Sequence, residues 1–460
     1  SLWVGTNGGL FRLRDAPFTT YTAEKGLADN YVRAVLSHSD GGLWIGTSRG
    51  LSRMYNRQLS HVDLREASRG QSILSLAEDT RDGSLWIGTY SDGLLHWQHG
   101  RVLGHYHYGN GLASNEVRAI QPEPDGSVWV GTANGLNRLH QGKIELYGTE
   151  QGLPGNFIMS LLQSRDGRLF IGTGVGVAVM QDGKIKALDL SELDDAENAF
   201  GFAEDVPAGL LWITTDRGLI SYRLDDGFMT IVGREAGMPF DKLFQLVIDR
   251  QQFFWITTNR GVIRVARQQV LDVVSGHSGR LSIELFGESD GMESAQANGG
   301  SGPAAILHTD GSVWVATSAG VSTLNPEKLK RFSAVVPPVV IEELLVDSRF
   351  YDWQQNISLP AGSNRLELKF AGLGFIMPQR MQYRTRLEGF DQDWVERGTL
   401  NFAEYTNLPP GQYRFRVSAS YPQGAWSSEE AVLEFTIAPF WWQRAGFWLL
   451  LAILAIGLTI

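Results

Sequence analysis

The chain has 460 residues, 43% of them hydrophobic, with 14 Trp, 53 Gly and no cysteine, and 40 basic against 50 acidic side chains give a net charge of −10. These figures exclude disulfides, thiolate metal sites and cysteine nucleophiles, do not fit a disordered chain, and leave no basic stripe of the kind nucleic acid binding requires. A chain of this length needs either several cores or a repeat whose core grows with each copy.

A repeat begins at once. The cassette apolar-aromatic-apolar-Gly-Thr, or a close variant, starts at Leu2, Leu43, Leu85, Val128, Leu169, Leu211, Phe254 and Val313. Its aromatic residues, Trp3, Trp44, Trp86, Trp129, Phe170, Trp212, Trp255 and Trp314, are spaced by 41, 42, 43, 41, 42, 43 and finally 59 positions. A period near 42 without helical periodicity predicts the four-stranded blade of an all-β propeller. Asp-Gly turns precede the cassette at Asp82-Gly83, Asp125-Gly126, Asp166-Gly167 and Asp310-Gly311, and hairpin turns follow it at Asn134-Gly135, Arg217-Gly218 and Arg260-Gly261. The recurring Asp is read as turn chemistry rather than catalysis, and the recurring Trp as packing between blades. Eight cassettes allow two rings: seven blades plus a stray one, or eight blades.

Ahead of the cassette a second element recurs, from Gly26, Gly111, Gly152 and Gly237, whose apolar second half reads as the innermost strand. A side chain at the start of that strand looks into the mouth of the central channel. This geometry nominates Asn30, Tyr31, Arg33, Asn115, Glu116, Arg118, Asn156, Phe157, Asp241 and Lys242 as ligand-binding residues. For the Asn positions the competing reading is that each only caps a turn. The tract His96 to His99 with His105 to Tyr108 is a second candidate, for metal or carbohydrate, or an ordinary exposed strand pair. No acid/base, metal or cofactor constellation stands out, so no catalytic residue, metal or cofactor is assigned.

The repeat grammar ends after Leu324-Asn325-Pro326, and Val336-Pro337-Pro338 reads as a linker. Strand-like runs at Val339–Val346, Arg365–Phe370, Met381–Leu387, Gly411–Ala419 and Ala431–Ile437 predict an immunoglobulin-like sandwich. The uncharged run Ala445–Ile460, preceded by Phe440, Trp441, Trp442 and Arg444, reads as a membrane-interface segment and the beginning of a transmembrane helix. The expected divisions are 1–331, 332–438 and 439–460.

The cassettes resemble the two-component regulator propeller repeat. The segment MQYRTRLEGFDQDW, with YTNLPPGQYRF after it, resembles the triple-tyrosine domain, its tyrosines falling on Tyr383, Tyr405 and Tyr413 and its tryptophans on Trp394 and Trp426. The resemblance implies the periplasmic sensor region of a bacterial inner-membrane receptor, whose output, absent here, is a histidine kinase, often hybrid, or a GGDEF-type diguanylate cyclase. It also implies a small-molecule ligand, an oligosaccharide in some relatives, a homodimer, and no catalysis in this region. A membrane-anchored adhesion or scaffolding propeller and a propeller enzyme are the alternative functions.

Overall fold

The structure, a computed structural model, describes residues 2–13, 16–64, 72–333, 336–352, 357–374, 380–422, 424–443 and 446–449. It forms two compact units, one of residues 16–326 and one of residues 1–15 with 327–460.

Each blade is built from the same local rules. The cassette Leu43–Thr47 is the second strand of the first blade, flanked by Val32–Ser37 inside and by Gly50–Tyr55 and Gln58–Val62 outside. Its Thr fixes the following hairpin, because the Thr47 hydroxyl donates to the Gly50 carbonyl at 2.9 Å and accepts from the Arg49 N–H. The same bond recurs from Thr132, Thr173, Thr215, Thr258 and Thr317. The cassette Gly lets the next blade approach: a Cβ on Gly46 would lie 2.7 Å from Ile73, and one on Gly131 2.6 Å from Ile158. The turn Asp accepts from the backbone two residues on, as Asp125 does from Ser127 at 2.8 Å and Asp310 from Ser312 at 2.9 Å. The cassette aromatics of the ring, from Trp44 to Trp314, are buried, and Trp44 lies in one apolar cluster with Ile73, Leu76 and Ile87 of the neighbouring blade.

Seven such four-stranded sheets stand between residues 19 and 324. Blades 1 to 7 have innermost strands Val32–Ser37, Ile73–Asp79, Val117–Pro122, Ile158–Gln163, Ala199–Asp205, Leu246–Ile248 and Ala305–Leu307. Each innermost strand touches the next, and the seventh touches the first, so the ring is closed. Thr19–Tyr21 pairs with Gly320–Leu324 as the outermost strand of blade 7, and the Thr20 and Ser322 hydroxyls meet at 2.9 Å. The ring therefore has seven blades, not eight. Among the described residues the first cassette, Leu2–Thr6, pairs only with Gly9–Leu13, in a separate two-stranded sheet.

The long final step has two causes. Helix Arg267–Val274 is inserted between the third and fourth strands of blade 6. A second insertion, residues 299–303, interrupts the chain just before the innermost strand of blade 7.

After helix Pro326–Ser333 the chain forms two sheets. One orders Arg349–Phe350, Val339–Val346, Arg365–Gly372 and Phe402–Thr406; the other orders Ile357–Leu359, Ala431–Ile437, Gly411–Ser420, Gln382–Glu388 and Val395–Gly398. Their inward residues form one core containing Leu344, Leu368, Phe370, Phe415 and Phe435. Trp441–Gln443 is a single 3-10 turn and residues 446–449 are helical. The expected membrane helix falls mostly on residues outside the described ones, and among the described residues no helix is long and apolar enough to cross a membrane.

Candidate functional site

The innermost strands carry a defect that recurs at one position. Pairing skips a residue between Val32 and Ala34, Ile73 and Ser75, Val117 and Ala119, Ile158 and Ser160, and Ala199 and Gly201. The skipped residues are Arg33, Leu74, Arg118, Met159 and Phe200. A bulge re-aims its unpaired side chain. Two of these five are arginines, both nominated by the sequence.

Blade 7 carries the same bulge, enlarged. The Asn298 N–H donates to the Ala316 carbonyl, and the Ala316 N–H donates back not to the next residue but to Ala304. Phe244 and Gln245 of blade 6, where the two residues are adjacent, make the equivalent pair of bonds with Thr257. The five extra residues, Gly299-Gly300-Ser301-Gly302-Pro303, cross the channel as a plug. The Val35 N–H donates to the Pro303 carbonyl at 2.8 Å, the Leu76 N–H to Gly302 at 3.2 Å, and the Gly302 N–H to the Arg118 carbonyl at 3.2 Å. Room is tight: a Cβ on Gly299 would meet Phe244, and one on Gly300 would lie 2.9 Å from the Met159 methyl. Asn298 anchors the near end through its side-chain amide, which donates to the Val32 carbonyl.

The nominated residues gather on the face where the chain enters the innermost strands, here the upper face. Arg118 is the most engaged. Its Nε donates to Glu116 at 2.6 Å, its Nη1 to the Gly300 carbonyl at 2.8 Å, and its guanidinium lies 4.5 Å from the centre of the Phe157 ring of the next blade. Arg33 lies 4.7 Å from the centre of the Tyr31 ring, and its Nε is buried without a hydrogen-bond partner. Lys242 lies 5.7 Å from the Phe200 ring centre. Three cations on aromatic rings thus stand at the upper mouth, each contact worth about 0.5–2 kcal/mol depending on exposure. The Asn side chains have a different task. Asn30, Asn115 and Asn156 accept from the backbone N–H groups of Ala23, Tyr108 and Thr149, closing the 3-10 turn that precedes each strand. Asp241 instead holds Arg234 at 2.6 Å, which lowers its carboxyl pKa.

Below the plug lies a cavity of about 440 Å³, lined by Leu76, Ile120, Leu161, Phe202, Gln121, Gln245 and Ser301, with Arg118, Met159 and Phe200 at its upper rim. A second, of about 390 Å³, shares Leu36 and runs along Leu246, Val247 and Ala305. Of the nominated residues only Arg118 reaches the larger cavity. Sequence reasoning missed the plug, although the 59-residue step and the Gly-Gly-Ser-Gly-Pro string both marked it.

The His tract is dispersed into local contacts. His96 stacks on Trp86 at 4.0 Å, and burial lowers its pKa; His105 bonds the Asp92 carbonyl, and His107 caps the next turn by accepting from Gly109. Among the described residues no cluster of three metal-ligating side chains occurs. Tyr383, Tyr405 and Tyr413 are core residues of the sandwich. Tyr383 accepts from the Gly372 N–H at 3.0 Å, Tyr405 donates to Asp391 at 3.0 Å, and Tyr413 donates to the Pro409 carbonyl at 2.7 Å. Trp394 and Trp426 flank Arg384, 4.5 and 4.6 Å from its guanidinium.

The Two component regulator propeller family matches residues 26–49, 111–134 and 152–174, and the Y_Y_Y domain family matches 374–438. Histidine kinase P4 of Formosa agariphila is 27% identical over 471 residues, an alignment covering 96% of this chain and 31% of the kinase. The extracellular domain of a hybrid two component system from B. thetaiotaomicron has the same fold with a TM-score of 0.73 and 24% identity, over 95% of this chain and 60% of that one. Virginiamycin B lyase from Staphylococcus aureus shares the propeller alone, with a TM-score of 0.51 and 14% identity over 67% of this chain. The chain spans about a third of the length of its curated relative.

Proposed function

We propose that this chain, two-component regulator propeller repeats followed by a Y_Y_Y domain, is the extracytoplasmic ligand-sensing region of a bacterial transmembrane receptor. Its ligand is a small polar molecule, and its output, in the remainder of the whole protein, is a histidine kinase or a diguanylate cyclase. The observation that carries this reading is the upper mouth of the channel. Arg33 and Arg118 sit on bulges of a closed ring, and Arg118 is held on three sides by Glu116, Gly300 and Phe157. Ordered cations on aromatic rings at the mouth of the channel suit recognition of a polar ligand, and a rigid scaffold lowers the ordering cost of binding. The likeness to a histidine kinase over 96% of this chain supports the same reading from the side of sequence.

In this account the ligand binds one arrangement of the receptor better than another, and only that difference in affinity can drive signalling. The sandwich passes the bias to a membrane helix that begins near Ala445, within a dimer at the inner membrane with this region in the periplasm. The test uses the whole receptor in membranes: autophosphorylation or cyclic dinucleotide synthesis is measured while oligosaccharides, amino acids and nucleotides are added outside. A compound that changes the output in the wild type but not in Arg118→Ala supports the reading. Output that no compound changes, or whose change survives both Arg33→Ala and Arg118→Ala, contradicts it.

A further inference from the structure

The plug shows what the channel wall accepts. In a propeller the innermost strand of every blade has one edge paired with its own sheet and the other facing the channel, where its N–H and C=O groups need partners. The plug supplies them for the first blades, through Val35, Leu76 and the Arg118 carbonyl. Val35 stands opposite Ile45 and Leu76 opposite Ile87, and in both pairs the N–H points inward to the plug. Ile120, Leu161, Phe202 and Leu246 occupy the same register, opposite Val130, Ile171, Ile213 and Ile256. Their N–H groups therefore point into the channel as well, and all four residues line the cavities below the plug.

We propose that this lower cavity is a second ligand site, distinct from the upper mouth, which takes a short extended molecule bearing amide groups, such as a di- or tripeptide. The polar groups converge as such a ligand requires. The open strand edges present donors and acceptors in alternation, as in strand addition to a sheet. Ser301, only 6% exposed, lines the cavity from above, and Gln245 and Gln121 line its walls, the Gln121 amide donating to the Pro122 carbonyl at 3.0 Å. Leu76, Leu161 and Phe202 supply the apolar remainder. A volume of about 440 Å³ lies within the ordinary range for small-ligand sites. The site does not depend on the sensing role of the upper mouth.

The experiment is saturation-transfer NMR on the full 460-residue chain with acetyl-dialanine amide and acetyl-trialanine amide, with maltotriose and acetate as comparison ligands. Saturable binding of a peptide amide is expected, weakened at least about tenfold by Ser301→Ala and Gln245→Leu together, which remove side-chain hydrogen bonds. Leu161→Trp, which fills the cavity, is expected to abolish binding; circular dichroism reports whether each variant is folded, and the Ser301/Gln245 pair decides the matter if Leu161→Trp is not. Failure of both peptides to bind, binding indifferent to the Ser301/Gln245 pair, or binding of maltotriose or acetate alone would overturn the proposal.

Discussion

Nη1 of Arg118 donates to the carbonyl of Gly300 at 2.8 Å, joining residues 182 positions apart in sequence and on different blades. Arg118 thus belongs both to the upper mouth and to the plug that separates it from the cavity below. Arg118→Ala removes this bond, the Glu116 ion pair and the Phe157 contact, and is expected to cost about 1–3 kcal/mol of stability. Amide hydrogen exchange at Gly302 should quicken, since the plug loses its side-chain tie, while Arg118→Lys should restore little because a single ammonium cannot reproduce the fork.

Ring closure rests on a short strand. Phe18, 2% exposed, packs edge-on to Phe286 at 5.8 Å just before Thr19–Tyr21, and its N–H donates to the Asp290 carbonyl. Phe18→Ala is expected to destabilise the chain by roughly 3–5 kcal/mol. Chemical denaturation should reveal this as a lower midpoint, and an unchanged midpoint would mean that closure matters little.

Asp205 and Arg267 form a two-pronged pair at 2.7 and 2.8 Å, with side chains 2% and 13% exposed. The Trp212 indole N–H donates to the same carboxylate at 3.3 Å. Removing one member leaves a desolvated charge, so Asp205→Ala is expected to cost about 3–5 kcal/mol. Replacing both Asp205 and Arg267 by apolar residues should cost less than Asp205→Ala alone, which thermal unfolding of the two variants would reveal.

Much of this fold was legible because each rule acts within a few residues. Thr47 to Gly50 and Asp125 to Ser127 are local bonds, so their repetition marks blade after blade. The second strands, the innermost strands of blades 1, 3, 4 and 6, and the five sandwich runs were readable for the same reason, whereas the innermost strands of blades 2, 5 and 7 were not. Phe402–Thr406 and Ile357–Leu359 were not, since they are short and defined by partners far along the chain. At the candidate site, Arg33 and Arg118, nominated from their place at the strand start, occupy the bulges of their strands, whereas the Asn residues at similar positions close turns. The plug eluded reading because its bonds reach blades 1, 2 and 3, which no local pattern encodes.

Tyr405 gives the sandwich a pH signature. Burial, reinforced by the nearby Asp391 carboxylate, pushes its hydroxyl pKa up to about 12 from 10.0. The folded state thus favours the neutral phenol: its contribution is complete below pH 10 and is lost as pH rises toward about 12. The loss should reach roughly 2–3 kcal/mol. Tyr405→Phe should remove this alkaline step, at a cost of about 1 kcal/mol at neutral pH from the missing hydrogen bond; persistence of the step in that variant would assign it elsewhere.

The central claim is that the upper mouth recognises a ligand, and the most direct measurement is a thermal-shift screen of the full chain against oligosaccharides, amino acids and nucleotides. Binding to the folded state raises the melting temperature by mass action, by an amount that grows with ligand concentration. The account predicts a saturable rise with at least one compound, absent in Arg33→Ala or Arg118→Ala when each is compared with its own ligand-free melting point. A rise that both variants retain in full would contradict it, as would no rise with any compound.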